Sequence, residues 1–369
     1  MSNSIPHSIV VIGTGNVGRA LLAQLAGLVV VPPPGYPAFV VVAVANEHGI
    51  AIDPLFGFAA GQLVGIEWSE EIMHLNRYHG FTPQGIVHQV EEEVGPGPLT
   101  FVDVTAADFT DLHLDCLSRG HAVVTANKKP VTASMEVWRE LMSYGLRRYR
   151  FECACGAGLP IVSTLQDMIV TDDRILEIQA AVSGSLGKIL SGDARCFGKS
   201  VRDAGEAGYT EPDPRDDLSG KDVARKALIM ARILGRDIEL DDIQAESLFP
   251  PEWADCDVDE FMGRLVASDD DSDRQDGFMT GLRTRLIREV NPARYLVDIY
   301  HTAGQFDVRV GLRRAAGRYD SFKRLQGPDN LFRIRTERYE EHPLVIRGPG
   351  AGPEVTAAGV LADILKIVH

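Results

Sequence analysis

The chain has 369 residues, which is long for one hydrophobic core, so two domains are expected. Hydrophobic residues make up 45% and charged residues 24%, an ordinary globular composition that excludes a fibrous or disordered chain. The formal net charge is -15 and no block of Lys or Arg offsets it, which argues against nucleic acid or an anionic membrane as a partner.

Cysteine use and the first residues bear on the cellular compartment. Five cysteines, an odd number at irregular spacing, favour a reducing environment. The opening residues MSNSIPHS are polar and run directly into a predicted strand, which leaves no room for a secretory leader. No apolar run in the sequence reaches transmembrane length. We therefore expect a cytoplasmic protein without a membrane partner.

A glycine-rich turn follows the first predicted strand, Ser8–Ile12. Residues 13–18 read GTGNVG, which matches G-x-G-x-x-G, and apolar residues recur at helical spacing from Val17 onward. In this motif the glycines allow a tight turn, close approach of a pyrophosphate, and packing of helix on strand. A second strand at Phe39–Val44 favours a dinucleotide site over a plain glycine turn. The predicted cofactor residues are Gly13, Gly15, Asn16, Val17 and Gly18.

The end of the second strand normally carries the residue that reads the adenosine ribose. Asn46 stands there, with Glu47 one residue later and no arginine alongside. An acid at the strand end would select NAD. NADP(H) and NAD(H) therefore both remain open, with NADP or dual use favoured.

Two later strand ends are predicted at the same crevice. The strand Thr100–Val104 leads to Thr105, and the strand His121–Thr125 leads to Lys128 and Lys129. Loops that leave the carboxyl edge of such a sheet commonly meet the cofactor, so Thr105 is a predicted contact. One of the two lysines is expected at the strand end, and it is either a functional lysine or a structural or exposed one.

The composition changes at Phe151–Ile161. Cys153 and Cys155 alternate on a predicted strand and lack partner ligands for zinc, so they are interpreted as small buried residues. The glycines that follow predict a turn whose carbonyl oxygens can hold a monovalent cation, with a hinge as the simpler alternative.

Beyond the turn, the pattern predicts a mixed sheet covered by helices. Strands are predicted at Ile175–Gly184, Tyr295–Thr302 and Gln305–Gly311, and a helix opens after residues 184–187. The charged run Ser268–Asp276 is expected to be an exposed loop, and an amphipathic segment around Glu70–Arg77 is expected on the surface of the first domain.

The most distinctive stretch covers residues 208–232, GYTEPDPRDDLSGKDVARKALIMAR. A helix is predicted to begin at Ser219 as its cap, which places Asp222 and Lys226 one turn apart. Two prolines stiffen the loop that carries Glu211. The alternative for Asp222 and Lys226 is a helix cap with a surface ion pair. A rigid acid near a helical acid and lysine suits a small zwitterionic substrate.

Together these motifs resemble homoserine dehydrogenase. The matching segments are GTGNVG, TANKK, GAGLP, SGSLGKI, GYTEPDPRDDLSGKDVARK and EEHPLVIRGPGAGPEVTAAGVLADIL. The resemblance implies an α/β fold with a Rossmann-type, doubly wound parallel sheet over residues 1–150. It also implies an α+β substrate and dimerisation domain of mixed sheet and helices over 151–340, and a segment over 341–369 that returns to the first domain. We expect the short, single-activity form, without kinase or further regulatory domain.

The resemblance also implies roles for particular residues in the NAD(P)-dependent reduction of L-aspartate 4-semialdehyde to L-homoserine. Lys226 is the proton donor, with Lys128 near substrate and nicotinamide. Glu211 and Asp222 hold the substrate amine and hydroxyl. The remaining implied residues are Glu152, Cys155 and Ala157, whose backbone binds Na+ or K+, and Gly350 and Gly352, which line the cofactor cleft. A homodimer is expected.

The sequence departs from the family pattern at two places. Cys153 and Cys155 replace other small residues, and Gly187–Lys188 stands where an aromatic is usual. The alternatives are a catalytically silent NADP-binding sensor, which would lose the lysines or acids, and a two-domain dehydrogenase of another amino or hydroxy acid. The residue 208–232 stretch favours homoserine dehydrogenase over both.

Overall fold

The computed structural model describes residues 6–32, 34–75, 83–270, 277–302, 304–325 and 327–368. Two compact units divide the chain: residues up to Pro160 together with those from Gly352 onward, and Ile161–Ala351. The predicted segments Glu70–Arg77 and Ser268–Asp276 lie partly outside the described residues. Within the described residues, every helix falls short of the length or the apolar content that crossing a bilayer requires.

The first unit alternates strands and helices. Its elements in chain order are β1 (His7–Ile12), α1 (Asn16–Val30), β2 (Phe39–Asn46), β3 (Gly49–Ile52), α2 (Ala60–Gly65), α3 (Trp68–Leu75), α4 (Pro83–Val94), β4 (Leu99–Asp103), α5 (Thr110–Ser118), β5 (Ala122–Thr125), α6 (Lys128–Val131), α7 (Met135–Ser143), β6 (Tyr149–Arg150) and α8 (Cys153–Gly156).

The second unit begins with a helix and contributes a second sheet. Its elements are α9 (Val162–Val170), β7 (Ile175–Ala181), α10 (Gly184–Ile189), α11 (Phe197–Glu206), α12 (Arg215–Leu218), α13 (Lys221–Ile233), β8 (Gln244–Ala245), α14 (Val258–Ala267), α15 (Gly277–Arg288), β9 (Ala293–Thr302), β10 (Gln305–Arg314), β11 (Asp329–Thr336) and β12 (Leu344–Pro349). The last helix, α16 (Pro353–Val368), belongs to the first unit. Short 3-10 turns cover Ala194–Cys196, Leu240–Asp242, Pro251–Trp253 and Gly317–Phe322.

The sheet of the first unit has the order β3-β2-β1-β4-β5-β6 among the described residues. Strands β2, β1, β4, β5 and β6 run parallel, and only β3 pairs antiparallel, with β2. Because the chain leaves β1 to build β2 on one side and β4 on the other, the order reverses at β1, where doubly wound sheets bind ligands. Fully buried Ile9 and Val11 share a core with residues of α1 and α16. The predicted doubly wound fold is confirmed, while β3 was not predicted.

The sheet of the second unit is mixed, as predicted. Its order is β12-β11-β7-β9-β10-β8, with β10 and β8 parallel and the other neighbours antiparallel. Helix α13 packs against β8, β9 and β10, because its apolar side chains, such as Ala227 and Met230, are buried. Strands β11 and β12 were not predicted.

The last two elements of the chain belong to different units. Strand β12 pairs with β11 in the second unit, and α16 packs against α1 in the first. The predicted returning segment starts at residue 341, whereas the first unit resumes at Gly352. Assignment of substrate binding and dimerisation to residues 151–340 stays a prediction.

Candidate active site

The glycine loop after β1 has the shape that its three glycines predict. Gly13 has a φ of 108°, and a Cβ there would lie 3.0 Å from the Thr105 methyl carbon. A Cβ on Gly18 would lie 1.9 Å from the Gly13 carbonyl oxygen, so only glycine lets α1 pack this closely. Gly15 is exposed, and no atom approaches the position of its missing side chain. The backbone at this loop is therefore open to a bulky anion such as a pyrophosphate.

The other predicted cofactor residues of the first unit follow its parallel strands. Asn16 and Val17 open α1 after β1, Asn46 ends β2, Thr105 follows β4, and Lys128 opens α6 after β5. Since parallel strands end at one edge of a sheet, the structure brings all five to the carboxyl edge.

The side chain of Asn46 is already engaged at both ends. Its Nδ2 donates to the Thr14 hydroxyl at 3.1 Å, and its Oδ1 accepts from the His48 backbone N–H at 2.8 Å. Asn46 thus links the turn after β2 to the glycine loop. Contact with a ribose stays a prediction, and the neighbouring Glu47 has an exposed side chain.

A buried carboxylate organises this sheet edge. Asp103, the last residue of β4, accepts from the Thr105 N–H and hydroxyl at 2.9 and 2.8 Å through Oδ1. Its Oδ2 accepts from Asn127 Nδ2 at 2.9 Å and contacts His113 Nε2 at 3.0 Å. Four hydrogen bonds satisfy the carboxylate, which offsets the cost of burying its charge.

The His113 ring connects this carboxylate to Tyr149. Its Nδ1 lies 3.1 Å from the Tyr149 hydroxyl, and both side chains are buried. Burial, together with the charge of Asp103, raises the pKa of Tyr149, so that hydroxyl stays protonated. The Tyr149 hydroxyl can then donate to Nδ1, which leaves the Nε2 hydrogen for Asp103. A neutral imidazole satisfies both contacts.

Asn127 transmits the position of Asp103 to α6. Its Oδ1 accepts from the Lys129 N–H at 3.1 Å and so caps the helix that Lys128 opens, while Nδ2 also donates to the Ala107 carbonyl at 2.7 Å. The network therefore holds the backbone at both Thr105 and Lys128. Sequence reasoning missed it, although an aspartate inside the apolar run FVDV was a signal, since buried acids need partners.

The cysteine pair lies on a helical turn and not on a strand. Cys153 and Cys155 belong to α8, where the Ala154 N–H bonds back to the Phe151 carbonyl at 3.0 Å. The strand prediction is wrong because alternation over three residues does not separate a strand from one helical turn. Both cysteines are buried, as predicted.

The proposed cation-binding residues surround this turn. Ala157 ends α8 with a φ of 54°, which turns the chain sharply. The buried Glu152 donates its N–H to the Asp363 carboxylate at 2.9 Å, and Lys366 Nζ lies 3.7 Å from its side chain. In the described part of the chain, no group of three or more His, Cys, Asp or Glu side chains could hold a metal. A cation at Glu152, Cys155 and Ala157 would therefore depend on backbone oxygens.

In the second unit, the helix with the predicted catalytic lysine starts later than expected. Gly220 precedes α13 with a φ of 71°, and Ser219 instead closes α12, where its hydroxyl donates to the Asp216 carbonyl at 3.0 Å. A Cβ on Gly220 would lie 2.0 Å from the Tyr295 hydroxyl oxygen. The predicted helix start at Ser219 is wrong, because a left-handed turn in tight contact with Tyr295 requires glycine there. The Ser219 hydroxyl nevertheless accepts from the Lys221 N–H, the first amide of α13, at 3.3 Å, as predicted for a capping serine.

Lys226 lies where the helical spacing places it. Its Nζ is 2.8 Å from Asp222 Oδ2 and donates to the Val182 carbonyl, just after β7, at 2.5 Å. Lys226 is 9% exposed, so the expectation that it is not fully solvated is confirmed. An ammonium has three donors, and these two contacts leave one for another oxygen.

The loop that carries Glu211 is anchored through Asp217. The Glu211 N–H donates to Asp217 Oδ2 at 2.9 Å, and the Ser185 hydroxyl donates to Oδ1. Burial raises the pKa of Asp217, and the two hydrogen bonds oppose this shift without cancelling it. Glu211 itself is exposed and can reach a ligand.

Arg215 forms the second anchor of the same loop. It donates to the Asp213 carboxylate at 2.7 Å and to the carbonyls of Ala254 and Cys256 at 2.8 and 2.5 Å. The hydrogen bonds from Arg215 lower the pKa of Asp213. Sequence reasoning did not single out Arg215 or Asp217, because nothing in the spacing shows which charges of RDD point inward.

The two C-terminal glycines have different surroundings. A Cβ on Gly350 would lie 2.2 Å from Asn330 Oδ1, a buried side chain, so this glycine has a packing role in the second unit. Gly352 precedes α16 with a φ of 135° and no atom near its missing side chain. Their contact with a cofactor stays a prediction.

These features define a class of enzyme. A doubly wound unit with an open glycine loop at its switch point is the architecture of a nicotinamide-dinucleotide site. The second unit carries a nearly buried lysine paired with a carboxylate, and side chains of this type can serve acid–base chemistry. The chain is an NAD(P)-dependent oxidoreductase.

Comparison with known proteins gives the family. The model of the homoserine dehydrogenase family matches residues 160–365. The chain is 33% identical over 386 residues to a homoserine dehydrogenase from Emericella nidulans, and the match covers 99% of both proteins. This chain belongs to the homoserine dehydrogenase family.

Two further similarities frame that assignment. The chain is 36% identical over 375 residues to a chloroplastic bifunctional aspartokinase/homoserine dehydrogenase 1 from Zea mays; the match covers 97% of this chain and 38% of the relative's length. A solved structure of a hyperthermophilic archaeal homoserine dehydrogenase in complex with NADPH has a TM-score of 0.72 at 23% identity, with 98% of each chain covered. At this identity the structural match shows a shared fold.

Proposed function

We propose that the chain catalyses the reversible reduction of L-aspartate 4-semialdehyde to L-homoserine, in the route to threonine, methionine and isoleucine. The observation that carries this proposal is the position of Lys226, which is 9% exposed and whose Nζ lies 2.8 Å from Asp222 Oδ2. In the chain, Lys226 follows the loop that carries Glu211, between α11 and α12, which we call the acid loop. Family membership supplies the substrate class, and the arrangement of acid and lysine fits it.

The residues of the second unit divide the work of substrate recognition and proton transfer. When bound, the nicotinamide supplies or accepts the hydride. On reduction, the free N–H of Lys226 donates a proton to the oxygen that becomes the alcohol; on oxidation the lysine takes it back. Asp222 orients Lys226 and binds the hydroxyl, and Glu211 binds the amine. The contacts of Lys226 to Val182 and Asp222 support this role, because they fix its Nζ.

For the cofactor, we infer that NADP(H) and NAD(H) both bind at the carboxyl edge of the first sheet. The open backbone at Gly15 supports a pyrophosphate there, and Thr105, Asn46 and Lys128 follow neighbouring strands. The complex of an archaeal homoserine dehydrogenase with NADPH supports use of NADPH. Gly350 and Gly352 are proposed to line the cofactor cleft.

Three further properties are proposed: a bound monovalent cation, a homodimer and a cytoplasmic location. The left-handed turn at Ala157 supports a monovalent cation held by backbone oxygens of Glu152, Cys155 and Ala157. Family membership supports a homodimer, which light scattering tests. The five free thiols are compatible with a reducing cytoplasm.

One assay tests the proposed function. Oxidation of NADPH and of NADH is followed after addition of L-aspartate 4-semialdehyde, with and without K+ or Na+. We expect turnover with the semialdehyde and stimulation by a monovalent cation. Cofactor binding without turnover would instead indicate a silent sensor, and turnover only with another carbonyl acid would indicate a different dehydrogenase.

A further inference from the structure

Lys188 is a cation of the second unit that the proposed mechanism does not use. It lies on α10, three residues after Ser185, so the two side chains are neighbours on one face of the helix. Ser185 donates its hydroxyl to Asp217, the carboxylate that also anchors the Glu211 N–H. The face of α10 that carries Lys188 is therefore the face attached to the acid loop.

A second contact places Lys188 beside the same loop. Its Nζ lies 5.4 Å from the centre of the Tyr209 ring, and Tyr209 precedes Glu211 by two residues. The Tyr209 side chain is 42% exposed, so the ring has an open side. The Lys188 ammonium is thus held over an aromatic face next to the residues proposed to bind the substrate.

The position of α10 is also tightly defined. Ser183 caps it by accepting from the Leu186 N–H at 3.1 Å. A Cβ on Gly187 would lie 2.7 Å from the Gly327 carbonyl oxygen, so this residue must be small for the helix to sit against that turn. Lys188 therefore extends from a firmly placed backbone, and the reach of its side chain is restricted.

The cations near the acid loop differ in whether a carboxylate partner neutralises them. Lys226 is paired with Asp222, and Arg215 is paired with Asp213. Across the described residues, Lys188 forms no ion pair with a carboxylate. Its charge is therefore available to a ligand.

A substrate with an α-amino acid end needs charges of both signs. Glu211 supplies negative charge for the ammonium. We propose that Lys188 is a specificity-determining residue that pairs with the α-carboxylate of the substrate, an inference that rests on the proposed function. An aromatic residue at this position would keep the stacking surface but would lose the ion pair.

The test compares two alcohols that differ only in the carboxylate. Oxidation of L-homoserine and of 3-aminopropan-1-ol, which lacks the α-carboxylate, is measured with NADP+ for wild type, Lys188→Met and Lys188→Arg. The matched control is Lys199→Met, an exposed lysine on α11. Thermal unfolding of each variant verifies that the fold is retained.

For L-homoserine, we expect Lys188→Met to lower kcat/KM by about tenfold to a hundredfold, the range for loss of a bond to a charged group. For 3-aminopropan-1-ol it should change little, because that alcohol has no carboxylate to lose. Lys188→Arg should recover most of the activity, and Lys199→Met should match wild type with both alcohols.

Three outcomes would overturn the assignment. Equal losses with both alcohols would show that Lys188 acts on structure and not on the carboxylate, and an increase confined to the KM of NADP+ would place it at the cofactor. Unchanged kinetics would remove it from recognition. If wild type fails to oxidise L-homoserine, the proposed function fails as well, which distinguishes that result from the other three.

Discussion

The carboxyl edge of the first sheet and the acid loop of the second unit hold their polar groups in opposite ways. At the sheet edge, Asp103 is buried and its two oxygens accept four hydrogen bonds. In the loop, Glu211 is exposed, and the anchoring is done by Asp217 and by Arg215.

This difference distinguishes carboxylates that position the protein backbone from carboxylates that can bind a ligand. A carboxylate whose hydrogen bonds are all made inside the protein has little left for a ligand, so Asp103 fixes neighbouring backbone. A carboxylate that faces water, in a loop fixed by others, retains its bonds for a ligand. The lysine of α13 combines both conditions, because Lys226 uses two donors internally and keeps a third.

The largest expected effect comes from removing that third donor. Lys226→Ala should fold and lose turnover by about 10²–10⁴-fold, the usual contribution of a positioned acid–base group. Lys221→Ala, an exposed lysine on the same helix, is the control and should retain activity. Steady-state kcat with L-homoserine measures both. Turnover close to wild type in Lys226→Ala would remove this lysine from the mechanism.

The closed network should respond through stability. In Asp103→Asn, an NH2 group replaces one carboxylate oxygen and faces hydrogen-bond donors that the wild-type oxygen accepts from. Because buried donors then lack an acceptor, we expect the free energy of unfolding to fall by about 3 kcal/mol. Asp111→Asn, at an exposed position at the start of α5, should change it by less than about 0.5 kcal/mol. Chemical denaturation compares them. Equal stability of the two variants would show that the network is not needed for the fold.

The open loop should respond to pH. Because burial raises the pKa of Asp217, this carboxylate takes up a proton at a higher pH than an exposed aspartate. Its protonated form stabilises the fold below the unfolded-state pKa, and that contribution is lost as the pH rises through the raised value. Protonation also weakens the acceptor that holds the Glu211 N–H, so the loop is held less firmly and the KM for L-homoserine should rise on acidification.

The control for this pH effect is Asp217→Asn. In that variant, the KM should be high and should lack the acid-dependent rise, while the KM for NADP+ follows wild type. An identical acid limb in both proteins would assign the titration to another group.

The smallest effect is expected at Asn46. Wild type should use NADPH at least as well as NADH, and Asn46→Asp should shift the preference towards NADH by about fivefold, through repulsion of the 2′-phosphate. A carboxylate there can still accept from the Thr14 hydroxyl, so the link to the glycine loop is preserved. Strong NADH preference in wild type, with a silent substitution, would mean that Glu47 already reads the ribose.

Contiguous motifs were predictable from the sequence. The glycine loop and the helix around Lys226 each lie in one short stretch, where spacing determines which residues meet. The error at Cys153 comes from a pattern too short to separate a strand from a helical turn. The error in the helix start at Ser219 has another cause, a contact with a residue distant in the sequence. At the start of α13, Tyr295 approaches Gly220 so closely that a side chain would not fit, and the backbone there has a left-handed conformation that favours glycine.

The buried network was out of reach for a different reason. Asp103, His113 and Tyr149 come from three separate elements, and Asn127 caps a fourth. Their meeting depends on strand order and on the packing of α5. A single sequence shows apolar periodicity for those elements but gives no pairing between them. Strand β11 was missed because Asp329, Arg333 and Arg335 obscure its apolar alternation. Strand β12 was missed because it is short and ends in Gly348 and Pro349, residues that are depleted in strands.

The distinction between a positioning carboxylate and a binding carboxylate is tested most directly by two variants, each measured for both cofactor binding and substrate KM. The dissociation constant of NADPH, from fluorescence titration, and the KM for L-homoserine are measured for Asp103→Asn and Glu211→Gln. We predict that Glu211→Gln raises the KM about tenfold or more and leaves NADPH binding within about twofold, since it removes a charged bond to the amine. Asp103→Asn should weaken NADPH binding, because Thr105 packs against the glycine loop. An unchanged KM in Glu211→Gln, or NADPH binding unaffected by Asp103→Asn, would contradict the account.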